Sequence, residues 1–238
     1  MKVLLTGTSS GLGSELCSFF LDRGDTVLGI SRKTTKKNGN QQRDTDERFT
    51  FLACDLGSEE QIQTAVSELS NKNINFDAVV LNAAAIEDDL IDGKLDYAKL
   101  KKIFEINVLG NMNLLAGVLP LVRQRGAIVA VSSLSVILDL SRRRCAYPAS
   151  KAALNCIFDA FRLKMSGQYR FITVNLGRLG NQAKLPFQVS YRQAASKIIR
   201  LIETESASEV INFPWTVSYA SRILRHLPPA FSRKYLSD

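Results

Sequence analysis

Short apolar runs alternate with helix-length amphipathic stretches along most of the chain. Val3–Leu5, Thr26–Ile30, Phe49–Ala53, Ala78–Leu81, Ile128–Val131, Ile172–Leu176 and Val210–Phe213 are short and apolar, as strands covered on both faces must be. Between them, segments 12–23, 59–71, 97–123, 147–166 and 192–204 have helical length and spacing. Strand, helix, strand in repetition predicts an α/β fold with a doubly wound parallel sheet of about seven strands, right-handed crossovers and helices on both faces. Residues 33–48 are the most polar stretch and carry no apolar period, so they are read as a loop. No internal repeat and no domain boundary is visible; residues 1–238 read as a single dinucleotide-binding and catalytic domain, with 214–238 as its amphipathic tail.

Ligands of such sheets bind at the carboxyl ends of the strands, and the polar punctuation of this chain falls there. Strand 1 runs into Thr6-Gly7-Thr8-Ser9-Ser10-Gly11-Leu12-Gly13, a glycine turn that opens a helix. Backbone N–H groups in such a turn can meet a diphosphate, and Thr6 with Ser9 or Ser10 can cap the helix or bond phosphate oxygens. In dinucleotide folds a carboxylate at the end of strand 2 takes the ribose hydroxyls, whereas a basic residue accommodates a 2′-phosphate. Here the strand ends Gly29-Ile30-Ser31-Arg32-Lys33 with no carboxylate, so NADP(H) is favoured over NAD(H), Arg32 supplying a planar fork for phosphate. The alternative for Arg32 and Lys33 is plain surface charge.

The other informative stretch is Tyr147-Pro148-Ala149-Ser150-Lys151. Residues i and i+4 share a helix face, so a phenol and an ammonium become neighbours. A cation beside a phenol favours the phenolate, which lets tyrosine exchange protons nearer neutral pH. A dinucleotide site with such a tyrosine points to hydride transfer coupled to proton transfer.

Together, the TGxxxGxG turn, Asn82-Ala83-Ala84 after strand 4, Ser133 after strand 5 and YxxxK resemble the short, single-domain branch of the short-chain dehydrogenase/reductase family, from Met1 to about Phe213. The resemblance implies that Ser133 holds the substrate oxygen, Tyr147 gives or takes its proton, Lys151 holds the nicotinamide ribose, and Asn107 joins the proton relay. Ser132 and Ser135 compete with Ser133 for its role. The implied cofactor set takes Gly7, Ser9, Ser10, Gly11, Leu12 and Gly13 from the turn, and Asp55 with Leu56 near the adenine. Asn82, Ala83 and Ala84 lie beside the cofactor, and Gly177, Leu179 and Asn181 follow strand 6. Asn82 and Asn107 also fit as buried partners of backbone groups, and Asp55 as a turn or cap residue. Two positions depart from the family: Leu176 stands where proline is usual and Asn181 where threonine is usual. The activity implied is reduction of a ketone or aldehyde, or oxidation of the matching alcohol. The alternative from another class is a catalytically impaired protein of this fold that binds or senses nucleotide.

Composition narrows the remainder. The four cysteines show no CxxC or Cys/His metal spacing, and one histidine, His226, makes a Ser-His-Asp or histidine metal site improbable. Net charge is +8, much of it local: Lys33, Lys36, Lys37 and Arg43, then Arg142 to Arg144, then the tail. A solvated surface accounts for it, so no nucleic acid partner is expected, while the three arginines also suit an anionic substrate. No apolar run approaches the roughly 18 residues of a membrane span, and Met1–Leu5 reads as a strand and not a leader, so the expected location is the cytoplasm. Residues 216–227 suit an amphipathic helix packed on a second subunit of a homodimer or homotetramer or over the substrate mouth; peripheral membrane contact is the less favoured use.

Overall fold

The computed structural model describes residues 1–33, 46–72, 74–137, 141, 143–181, 188–204 and 209–225. Lys36, Lys37, Arg43, Arg142, most of the segment after Asn181, and the tail from His226 lie outside the described residues.

The predicted alternation becomes a seven-stranded, wholly parallel sheet. Its strands are β1 (Lys2–Thr6), β2 (Thr26–Ser31), β3 (Phe49–Ala53), β4 (Phe76–Leu81), β7 (Val122–Ser133), β8 (Arg170–Leu176) and β11 (Val210–Phe213). Their spatial order is β11-β8-β7-β4-β1-β2-β3. The chain starts in the middle, winds to β3 at one edge, then returns and winds from β4 to β11. The reversal lies between β1 and β4, where a doubly wound sheet opens its ligand crevice.

Alternation within each strand explains the continuous apolar runs. Val3 and Leu5 point to one face, with Val80 and Val129, under α1 (Gly11–Asp22) and α6 (Tyr191–Glu203). Leu4, Val79 and Ile128 point to the other, under α2 (Glu59–Asn71), α4 (Asn111–Val118) and α5 (Ala146–Met165). With both faces covered, the central strands are apolar along most of their length.

Two antiparallel or parallel miniature pairs were not legible in the pattern: β5 (Leu90–Ile91) with β6 (Lys94–Leu95), and β9 (Leu179–Gly180) with β10 (Val189–Ser190). The predicted helix 97–123 is composite: α3 (Tyr97–Phe104), a π-helical turn at Glu105–Gly110, α4, and a 3₁₀ turn at Leu119–Leu121. Tyr97–Leu121 is long and apolar enough to cross a bilayer by composition, contrary to expectation. Its Ile103, Leu114 and Val118 are instead buried against the rest of the fold. The helix predicted at 216–227 is α7 (Trp215–Arg225), which leaves Trp215, Tyr219 and Ile223, spaced by four, exposed.

Candidate active site

The glycine turn is built by close approach. Gly7 and Gly11 have φ of +74° and +55°, where a side chain is strained. Gly13 brings α1 so near the turn that a Cβ there would lie 2.0 Å from the Gly7 carbonyl oxygen. Leu12 is buried in the core, so only its backbone can serve a ligand. Ser10 is the N-cap of α1 in extended conformation and makes no side-chain cap bond. The amino end of α1 therefore keeps donors for an anion. Thr8 Oγ1, in the same turn, is buried without a partner among the described residues.

This turn opens into a cavity of about 650 Å³. Gly7, Ser9 and Ser10 line one side, Arg32 and Lys33 the end of β2, and Asp55 and Leu56 the end of β3. Asn82, Ala83 and Ala84 form its floor at the end of β4. Asn82 and Ala83 N–H groups both donate to Thr6 Oγ1, at 3.0 and 2.9 Å, and Asn82 Nδ2 donates to the Thr6 carbonyl at 3.0 Å. The side chain thus stitches β4 to β1 at the switch point. Asp55 Oδ1 accepts the Gly57 N–H at 3.0 Å, so the local turn role coexists with its place on the cavity wall. A cavity of this size, lined by polar groups at the strand ends and beside an uncapped helix end, fits a dinucleotide.

The predicted catalytic residues gather where β7 meets α5. Lys151 is buried, and its Nζ donates to the Val131 carbonyl at 2.8 Å and lies 5.9 Å from the Tyr147 ring centroid. Burial pushes the ammonium down to about 8. Val131 is two residues before Ser133, so this bond ties the helix of Tyr147 to the strand of Ser133. Ser133 Oγ accepts from Ser135 N and Ser135 Oγ, at 3.1 and 2.9 Å, which directs its own proton toward another acceptor. Ser132, one competitor, is buried, and Ser135 is the partner that orients Ser133.

Asn107 is fully buried on the π-helical turn. Its Oδ1 accepts the Ala85 N–H at 2.6 Å, and its Nδ2 donates to the Ala85 carbonyl and to Ser150 Oγ at 2.9 and 3.0 Å. Ser150 Oγ in turn donates to the Tyr147 carbonyl at 2.7 Å. The cavity floor, the π turn and the first turns of α5 are thereby one network. Asn111 Nδ2 sustains the π turn by donating to the carbonyls of Ala83, Ile106 and Asn107. Sequence reasoning passed over Ser150 and Asn111; the signal available was a polar side chain on an otherwise inward-facing helix position.

Other predicted residues are arranged less closely. Gly177 follows β8, its N–H bonded to the Phe213 carbonyl at 2.8 Å. Leu179 pairs with Val189, and Asn181, just after β9, is exposed. Leu176, where the resemblance leads one to expect proline, is buried in the core. Arg143 Nε pairs with Asp88 at 3.1 Å, and Arg144 lies between Ser141 Oγ and Asp88, at 3.1 and 3.8 Å. Both arginines share the one carboxylate of Asp88. Cys145 Sγ donates to Asp89 at 2.8 Å, and that bond raises the thiol's pKa, against a reactive role. Buried Cys54 is pushed up to about 11 by desolvation.

Comparison with known proteins agrees with this geometry. The family model described as short chain dehydrogenase matches residues 1–183. An uncharacterized oxidoreductase of Mycobacterium tuberculosis is 24% identical over 247 residues, covering 98% of this chain and 96% of its own. A benzil reductase ((S)-benzoin forming) of Saccharomyces cerevisiae is 25% identical over 250 residues, covering 98% and 94%. Among solved structures, a short chain dehydrogenase from Burkholderia cenocepacia in complex with NADP superposes with a TM-score of 0.79 at 20% identity, covering 100% of this chain and 98% of that one. A short chain dehydrogenase family protein from Francisella tularensis gives 0.77 at 20% identity, covering 89% and 96%. With a parallel sheet wound about the β1–β4 crevice and a family match over most of its length, the chain belongs to the short-chain dehydrogenase family of oxidoreductases.

Proposed function

We propose that the protein is an NADP(H)-dependent oxidoreductase that reduces a small-molecule ketone or aldehyde, or oxidises the matching alcohol. The observation that carries the reading is the buried Lys151 ammonium beneath Tyr147, anchored to the strand that ends in Ser133. Strongly shifted ionisable groups cluster at functional sites. When bound, the nicotinamide supplies or accepts the hydride.

The chain's own residues do the rest. The amino end of α1, with Gly7, Ser9 and Ser10, holds the diphosphate. Arg32 meets the 2′-phosphate, and Asp55 with Leu56 borders the adenine. Lys151 holds the nicotinamide ribose and, while charged, favours loss of the Tyr147 proton. Ser133 donates to the substrate oxygen, and Tyr147 delivers the proton to that oxygen in reduction or removes it in oxidation. Asn107 and Ser150 fix the backbone at Tyr147.

Support for the cofactor choice is the pair Arg32 and Lys33 on the cavity wall, with no carboxylate on β2, and the NADP bound by the Burkholderia neighbour. The yeast relative's name makes benzil, an aromatic diketone, a sensible first substrate. A nucleotide sensor without turnover has only the Leu176 and Asn181 departures in its favour. The test is oxidation of NADPH on addition of benzil and a panel of ketones and aldehydes. Carbonyl-dependent oxidation is expected; NADPH bound tightly with no turnover across aliphatic, aromatic and sugar carbonyls would favour the sensor.

A further inference from the structure

The first turn of α5, which carries Tyr147, lacks an ordinary local cap. Cys145 is its N-cap and makes no side-chain cap bond. The third helical residue is Pro148, which has no N–H for a cap to bond. Asp89 takes that place from 56 residues upstream, in the segment between β4 and α3. Its side chain is fully buried. Oδ1 accepts the Cys145 N–H at 3.0 Å, and Oδ2 accepts the Ala146 N–H at 3.0 Å and the Cys145 thiol at 2.8 Å. The backbone joins in: the N–H groups of Asp89 and Leu90 both donate to the Arg143 carbonyl, at 3.0 and 2.9 Å. Desolvation opposes the charge on Asp89, but the bonds from Cys145 and Ala146 outweigh it and hold the carboxyl below its usual range. An anion at the amino end of a helix also meets the positive end of the helix dipole.

We propose that Asp89 is a positioning residue for Tyr147, fixing the first turn of α5 to the segment after β4 and so setting where the phenol stands above the cofactor. The proposal rests on the reading of Tyr147 as proton donor. The same segment begins with Asn82, Ala83 and Ala84 on the cavity floor and continues through Ala85, the partner of Asn107. Asp89 thus links the wall that borders the cofactor to the helix that carries the acid. The Lys151–Val131 bond holds α5 one turn further along, Ser150 and Asn107 hold the Tyr147 carbonyl, and Asp89 holds the N–H groups of Cys145 and Ala146 at the start of the helix. A displacement of about 1 Å at a reacting group can cost on the order of 100-fold in rate.

The experiment compares D89N, D89A and the double variant D89A/C145D, which returns a carboxylate to the helix from its own N-cap position but not the tie to the β4 segment. Benzil reduction with NADPH gives kcat and KM. The ring resonance of Tyr147 in fluorotyrosine-labelled protein, assigned by its loss in Y147F, reports its position without turnover. D89N is expected to lower kcat on the order of 10–100-fold, leave NADPH affinity within about twofold, and shift the Tyr147 resonance. D89A/C145D is expected to recover the melting temperature lost in D89A while kcat and the resonance stay displaced. Wild-type kcat and resonance in D89N, or recovery of kcat together with melting temperature in the double variant, would overturn the proposal. Full turnover in Y147F would instead remove the reading of Tyr147 on which it rests.

Discussion

Lys151 donates from Nζ to the Val131 carbonyl at 2.8 Å with its side chain wholly enclosed, so one bond fastens helix to strand and sets a charge in a dry place. Its cost depends on pH. Burial lowers the ammonium to about 8 from an ordinary value of 10.5, which corresponds to about 3 kcal/mol of destabilisation. Below pH 8 the folded and unfolded forms both hold the proton, and the penalty is complete. Between about 8 and 10.5 only the unfolded form holds it, so stability rises with pH. Urea unfolding of apoprotein and of Lys151→Met should show wild type gaining about 2–3 kcal/mol on the variant between pH 7 and pH 10. A difference independent of pH would contradict the buried charge.

Cofactor preference should follow Arg32, which lines the cavity at the end of β2. A charge-assisted hydrogen bond contributes about 1.5–3 kcal/mol, or roughly 10–150-fold in affinity. NADPH is expected to bind at least about tenfold more tightly than NADH, and Arg32→Ala to remove most of the gap. Calorimetry with both cofactors measures it; equal affinities in wild type would remove the assignment.

Gly110 closes the π turn against the end of β3, where a Cβ would stand 1.9 Å from the Leu56 carbonyl oxygen. Gly110→Ala must push apart the helix and the Asp55–Leu56 wall. A cost of about 1–3 kcal/mol is expected from overpacking, with weaker NADPH binding, since that wall lines the cavity. Thermal melts with and without NADPH test both; an unchanged melting temperature would mean that the approach is looser than described.

The strands, the main helices and the strand-end placement of Gly7, Arg32, Asp55, Asn82 and Ser133 were legible because each depends on local pattern: apolar runs, a glycine turn, a polar residue just past a strand. The π turn was not, since one extra residue in a helical turn barely disturbs a 3.6-residue period. Asn111 and Ser150 read as ordinary polar helix residues until their partners across the fold are seen. Asp89 is the clearest case: its partners are 56 and 57 residues away, and nothing near it in the chain marks a helix cap. The pairing of Arg143 and Arg144 with Asp88 was hidden in the same way, because Asp88 is equally distant in sequence.

The central claim is that Tyr147 moves the proton, and Tyr147→Phe tests it most directly. The substitution deletes the hydroxyl and keeps the ring beside Lys151. A general acid contributes roughly 10²–10⁴-fold to rate, so kcat for carbonyl reduction should fall by about that factor while NADPH affinity is unchanged. Full turnover by the variant on the same substrate would contradict the account.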